Sequence, residues 1–171
     1  LETVDTEGDV GKFASLDLDR QGYPHIAYFA WEEERAGALK YARWNGADWE
    51  LERVDELLDV DISFLGARRM MSIVLDAQDR PHIAYCDRGL LTYAVKTGDG
   101  WQLQPVAQPS AANQALGQLV SLDLDNEGRP HLTYYELPSS PSTSLGTIFY
   151  AVGEALVPTA VEENADRAVP Q

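Results

Sequence analysis

One stretch of sequence is written three times in this chain, and that repetition limits what the chain can fold into more than any other feature. Ser15 to Tyr28 reads SLDLDRQGYPHIAY, Ser72 to Tyr85 reads SIVLDAQDRPHIAY, and Ser121 to Tyr134 reads SLDLDNEGRPHLTY, all without a gap. Internal repeats of this kind build arrays of one supersecondary unit, each copy burying its apolar face against the next. All 3 histidines, His25, His82 and His131, lie inside these segments.

The repeat continues past the shared segment. Leu39-Lys40-Tyr41-Ala42 leads through Asn45 to Asp48 into Trp49, and Leu91-Thr92-Tyr93-Ala94 leads through Thr97 to Gly100 into Trp101. In the third copy Ile148-Phe149-Tyr150-Ala151 leads through Gly153 to Leu156 to Val161, where the tryptophan is lost. The period is therefore about 50 residues, the scale of a propeller blade. Each unit holds four short runs that alternate with period two and are bounded by Gly, Asp, Asn and Pro, the pattern of β-strands joined by tight turns. We label them A to D. In strand A of the first unit Leu16 and Leu18 face one way and Ser15, Asp17 and Asp19 the other; in strand B, Ile26 and Tyr28 lie opposite His25 and Ala27. No segment carries the i, i+3, i+4 apolar stripe of an amphipathic helix.

The A-to-B turn is legible in detail. Asp19 and Asp125 open it and can accept backbone N–H groups, while Gly22 and Gly128 stand where the chain needs positive φ. The second unit has Asp79 at that place, and Asp tolerates left-handed geometry better than most residues. Pro24, Pro81 and Pro130 then begin strand B, where a missing donor does little harm.

These observations predict an all-β chain, a β-propeller built of four-stranded antiparallel blades, with about three blades present. A stack of open sheets and a β-sandwich are the competing arrangements. The expected organisation is one body over residues 1–161, with a D strand at 1–5, blades at 12–55, 69–107 and 118–161, and a C-terminal tail at 162–171. Leu1-Glu2-Thr3-Val4-Asp5 matches Leu51-Glu52-Arg53-Val54-Asp55, so the chain opens on a D strand without its own A, B and C strands. A propeller has about four to eight blades, so the ring is expected to be partial or completed by an oligomer. The chain is then a piece of a longer propeller, a dimer that closes a ring, or a small ring sealed when the N-terminal strand replaces Leu156 to Val161. An open blade edge leaves backbone groups unpaired and invites another chain.

The run Ser-Leu-Asp-Leu-Asp-x-x-Gly-x-Pro-His-Ile-Ala-Tyr, followed by Leu-x-Tyr-Ala and Gly-x-x-Trp, resembles the blades of bacterial β-propeller repeat proteins, loosely sialidase-like. The resemblance spans residues 1 to about 161 and implies blade architecture. It carries no catalytic signature: the pattern Ser-x-Asp-x-Gly-x-x-Trp and an Arg-Ile-Pro segment are both missing from the sequence.

Charge narrows the partners. Lys and Arg number 13 against 28 Asp and Glu, a formal net charge of −15, which opposes nucleic acid and anionic membranes as partners. No apolar run is long enough for a membrane span and no signal-peptide pattern opens the chain; a secreted or cell-surface setting is expected. Lone Cys86 reads as a small buried hydrophobe. No cofactor is expected. Calcium is the one ion with any basis, through Asp55, Glu56, Asp59 and Asp61 or Glu32, Glu33 and Glu34, and neither cluster has the spacing of an EF-hand loop.

The histidines could converge on a metal. Because each recurs identically six residues after Asp19, Asp76 or Asp125, the better reading is structural, with Asp and backbone carbonyls as partners of the ring nitrogens. Tyr28, Tyr85 and Tyr134, with Trp49 and Trp101, read as packing between blades. Function is expected where the repeats disagree, in the B-to-C and D-to-A connections, which emerge on one face of an antiparallel blade. The candidate ligand-binding residues there are Trp31, Glu33, Arg35, Arg68, Arg69, Asp87, Arg88 and Glu136, with Trp31 stacking on a sugar and the charged groups binding hydroxyls or carboxylates. The leading expectation is a non-catalytic binding or assembly propeller for a carbohydrate or protein ligand. One alternative is a glycoside hydrolase or lyase using carboxylates such as Glu33, Asp87 or Glu136, which would need two carboxyls at a defined separation. A structural domain within a larger propeller is the other.

Overall fold

The computed structural model describes residues 1–33, 36–58, 71–87, 89–108, 115–137 and 146–154. Among them the chain forms strands β1 (Asp9–Leu18), β2 (Pro24–Glu33), β3 (Ala36–Trp44), β4 (Trp49–Leu58), β5 (Met71–Leu75), β6 (Pro81–Asp87), β7 (Leu90–Thr97), β8 (Gly100–Ala107), β9 (Ala115–Leu124), β10 (Pro130–Leu137) and β11 (Thr147–Val152), and no helix. Each repeat is one antiparallel sheet with its strands in chain order: β1-β2-β3-β4 in sheet I, β5-β6-β7-β8 in sheet II, and β9-β10-β11 in sheet III. The fold is all-β. The expected fourth strand of the third unit, Leu156 to Val161, lies outside the described residues.

The registers follow the repeat. Asp17 pairs with His25 and Leu16 with Ile26 in sheet I; Val74 pairs with His82 and Ile73 with Ile83 in sheet II; Asp123 pairs with His131 and Leu122 with Leu132 in sheet III. Each A-to-B turn closes in the same way, with the N–H of Gly22, Asp79 or Gly128 donating to the carbonyl of Asp19, Asp76 or Asp125 at 2.9 Å. The residue at that place has φ of 81° in Gly22, 75° in Gly128 and 59° in Asp79, which bears out the turn read from the sequence. Asp79 costs some backbone strain there. In return its carboxylate spans to the neighbouring sheet, accepting from Arg20 Nε at 2.9 Å and Arg20 Nη2 at 2.8 Å.

Apolar side chains pack between consecutive sheets. Ala27, Phe29, Leu39 and Tyr41 of sheet I meet Met71, Ile73, Ile83 and Tyr85 of sheet II. Ala84, Leu91, Tyr93 and Val95 of sheet II meet Val120, Leu122 and Leu132 of sheet III. Sheet II is therefore apolar on both faces, as period-two strands covered on both sides require. Cys86 is buried.

Polar grips on the A strands reinforce this stacking. Ser15 Oγ accepts from Ile73 N at 3.3 Å and Asp17 Oδ2 accepts from Leu75 N at 2.8 Å, while Ser72 Oγ accepts from Leu122 N at 3.2 Å. The Asp17 carboxylate also takes the N–H of its own neighbour Leu18, so one side chain ties two A strands. Val74 replaces this aspartate in sheet II, and that grip is absent at the second junction.

Leu1 to Asp5, expected as a D strand, is not paired as a strand. No strand among the described residues pairs with it. Its last residue nonetheless sits where a D strand would put it: Asp5 Oδ2 accepts from Tyr28 OH at 2.8 Å, as Asp55 Oδ2 accepts from Tyr85 OH at 2.5 Å. Lys40 Nζ joins Asp5 at 3.0 Å.

Candidate functional site

Strand order fixes where each connection emerges. With four antiparallel strands in chain order in sheets I and II, the A-to-B and C-to-D turns lie at one end and the B-to-C and D-to-A connections at the other, and the A-to-B turn of sheet III follows the same order. Of the sequence-predicted ligand-binding residues, Trp31, Glu136 and the backbones of Glu33 and Asp87 belong to that second end. Arg35, Arg68, Arg69 and Arg88 lie outside the described residues. The backbones of Glu33 and Asp87 form the last positions of β2 and β6.

Trp31 is half-buried and firmly placed. It pairs with Gly37 across β2 and β3, and a Cβ at Gly37 would stand 2.9 Å from Trp31 Cε3 and 2.6 Å from Ala30 O. Glycine is what lets the indole approach the backbone of β3 this closely. The Lys12 ammonium sits 5.3 Å from the ring centroid, within cation–π range, and also pairs with Asp9. Trp31 therefore shares this end with a cation and is not a freely projecting platform. Glu136 is buried in β10, opposite Thr147.

The other end carries a hydrogen-bonded set repeated three times. His25 Nδ1 meets Tyr41 OH at 2.6 Å, His82 Nδ1 meets Tyr93 OH, and His131 Nδ1 meets Tyr150 OH at 2.6 Å. On the opposite ring edge His82 Nε2 meets Asp76 Oδ2 at 3.3 Å and His131 Nε2 meets Asp125 Oδ2 at 3.1 Å. His25 Nε2 stands 3.6 Å from Asp19 Oδ2, beyond hydrogen-bond reach, and is buried. In the second set a neutral His82 with its proton on Nε2 satisfies both edges: the ring donates to Asp76 and the Tyr93 phenol donates to Nδ1. The aspartate partner matches the sequence reading, but the other partner is a C-strand tyrosine and not a backbone carbonyl.

The same aspartates hold the turn. Asp19 Oδ1 accepts from Gln21 N and Tyr23 N, Asp76 Oδ1 from Gln78 N and Arg80 N, and Asp125 Oδ1 from Glu127 N and Arg129 N. Burial works to raise the Asp19 and Asp76 carboxyls, but these N–H donors and the neighbouring histidine outweigh it and keep both below the usual carboxylate range. Burial pushes the His25 and His82 imidazoles down, against the pull of Asp19 and Asp76. It pushes the Tyr41 and Tyr93 phenols far up. All three groups of each buried set are thus fixed in one protonation state near neutral pH. Such a set builds a turn and offers no poised acid or base.

Tyr85 works as a junction between sheets I and II, as the sequence suggested, and adds a hydrogen bond to its packing, while Tyr28 ties β2 to the segment that ends at Asp5. Trp101 Nε1 likewise donates across to Glu52 Oε2 at 3.1 Å, beside the Lys96–Glu52 ion pair. Among the calcium candidates Asp55 is occupied by Tyr85, and Asp59 and Asp61 lie outside the described residues. The described residues hold no group of three His, Cys, Asp or Glu arranged for a metal ion.

The repeated His-Tyr contact had a signal in the sequence: Tyr41, Tyr93 and Tyr150 recur in register with the histidines, but only the C-to-B pairing shows that they face them. No family model and no curated protein matches the chain.

Proposed function

We propose that the three sheets are consecutive blades of a β-propeller of the bacterial repeat type, and that the chain is a non-catalytic binding or assembly module. Its ligand is a carbohydrate or protein, held at the end that carries the B-to-C and D-to-A connections. The observation that supports this most is the contrast between the two ends. At the A-to-B end the polar groups are repeated and consumed in Asp–His–Tyr sets. The opposite end holds the sequence that is not repeated, including a tryptophan seated on glycine beside a cation, and the strand-terminal positions of Glu33 and Asp87. Rigid strands bearing variable connections are the usual platform for recognition. An aromatic face with neighbouring charge suits a sugar or a polar peptide segment. A secreted or surface-displayed setting fits such a ligand.

Glycan and peptide arrays probed with the purified chain test this reading. Binding to one ligand class is expected, weakened about tenfold or more, a loss of about 1.4 kcal/mol, by Trp31→Ala or Asp87→Ala. Arg20→Ala, at the opposite end, is expected to leave binding unchanged, with circular dichroism confirming that all three variants are folded. Binding that ignores the loop-end variants would overturn the proposal. So would hydrolysis of a glycoside that Glu136→Gln abolishes, which is the mark of the enzymatic alternative.

A further inference from the structure

The repeat supplies an internal standard for what each sheet face should touch. Sheet I presents Leu39 and Tyr41 to sheet II, sheet II presents Leu91 and Tyr93 to sheet III, and all four are buried. The same positions of sheet III are Ile148, 74% exposed, and Tyr150, 62% exposed. On the other side, Ile73 and Leu122 are buried beneath the preceding sheet, while their counterpart Leu16 in sheet I is 56% exposed. The two outermost faces of the stack are therefore the two halves of the junction already made twice inside it.

The polar parts of that junction are present as well. Ser72 grips Leu122 N, and Ser15 and Asp17 grip Ile73 N and Leu75 N. Sheet III repeats the acceptors as Ser121 and Asp123, both exposed, with Asp123 Oδ1 taking Leu124 N as Asp17 Oδ1 takes Leu18 N. Sheet I repeats the receiving strand as Leu16 and Leu18. One further group is unsatisfied. Trp49 Nε1 is buried without a hydrogen-bond partner among the described residues, although its counterpart Trp101 Nε1 donates to Glu52. In the match of Leu1 to Asp5 with Leu51 to Asp55, the residue equivalent to Glu52 is Glu2. Asp5 is already in its D-strand place on Tyr28.

We propose that the outward face of sheet III receives sheet I of a second copy of this chain, with the copy's Leu1 to Asp5 lying along β11 as a fourth strand. Ser121 then accepts from Leu16 N of the copy, Ile148 and Tyr150 pack beneath its Leu16, and pairing with β11 draws Glu2 up to Trp49 Nε1. A head-to-tail junction of this kind closes a ring when its rotation fits, and doubling the three sheets stays within the about four to eight blades that propellers use. The occupant is a second copy because both halves of the junction, side chain for side chain, are on this chain. The inference rests on the sheet repeat and is independent of the loop-end ligand, so binding at that end and association through the sheet faces can each fail alone.

Sedimentation equilibrium of the full chain across a wide concentration range tests it. The expected mass is that of two chains. Ile148→Glu and Leu16→Glu, both at exposed positions and so compatible with folding, are each expected to shift the species to one chain with an unchanged circular dichroism spectrum. Removal of residues 1–5 is expected to weaken association about tenfold or more. A single-chain mass at every concentration would overturn the proposal, as would a two-chain species that survives both substitutions.

Discussion

The hydroxyl of Tyr93 and that of Tyr150 make the same bond to a histidine in very different surroundings. His82 and Tyr93 are buried between sheets II and III, whereas Tyr150 is exposed. Tyr93→Phe leaves His82 Nδ1 buried without its donor, which costs about 1–3 kcal/mol; Tyr150→Phe leaves a nitrogen that water can reach, and costs well under about 1 kcal/mol. Urea unfolding of both variants in the Ile148→Glu background, where Tyr150 stays open to water, measures the difference, and equal losses would contradict it. The buried histidines also set a pH dependence. Their folded-state affinity for a proton is lowered, chiefly by burial, so the unfolded chain takes up protons first as the pH falls. Stability from this source is complete above the unfolded value of about 6.5 and declines as the pH drops through it. Asp19 and Asp76, also held low, add their own loss only further down, below about pH 4. Unfolding free energies from about pH 7.5 to 5 are expected to fall with acidification, and His82→Gln to flatten that slope. An unchanged slope in the variant would show that these rings carry no linkage.

Sheet construction depends on a few places where two strands come unusually close. At Gly37 an added methyl would meet Ala30 O at 2.6 Å and the Trp31 ring at 2.9 Å, so Gly37→Ala must push β2 and β3 apart or rotate the indole. A loss of about 1–3 kcal/mol, with a changed Trp31 fluorescence environment, is expected; a neutral substitution would mean that the indole is not packed as described. The strands themselves were legible because period-two alternation and the Asp-x-x-Gly turn are local, and each turn's hydrogen bonds lie within five residues. What was not legible depends on pairing between distant segments. That Tyr41 faces His25, or that Asp79 replaces glycine in order to hold Arg20, follows from registers and stacking that no local pattern encodes. The candidate site divides in the same way: its end of the sheets follows from strand order, while the fixed posture of Trp31 and the burial of Glu136 depend on neighbours across the sheet.

At the scale of the whole molecule, the −15 formal charge works against the association that the exposed faces favour. The side chains proposed to meet at the new junction are mainly Ile148, Tyr150, Leu16 and Leu18, so the attraction is apolar and nearly independent of salt. The repulsion between two acidic chains is long-range and depends strongly on salt, with a screening length of about 30 Å at 0.01 M and about 10 Å at 0.1 M. Raising ionic strength should therefore tighten the two-chain species, first steeply and then little beyond about 0.2 M, because the remaining drive carries no charge. Dissociation constants measured across that range distinguish the apolar junction from one held by ion pairs. If salt-sensitive ion pairs dominated, added salt would loosen the pair instead. Association that weakens steadily with salt would thus contradict the apolar junction even if the mass of the species were that of two chains.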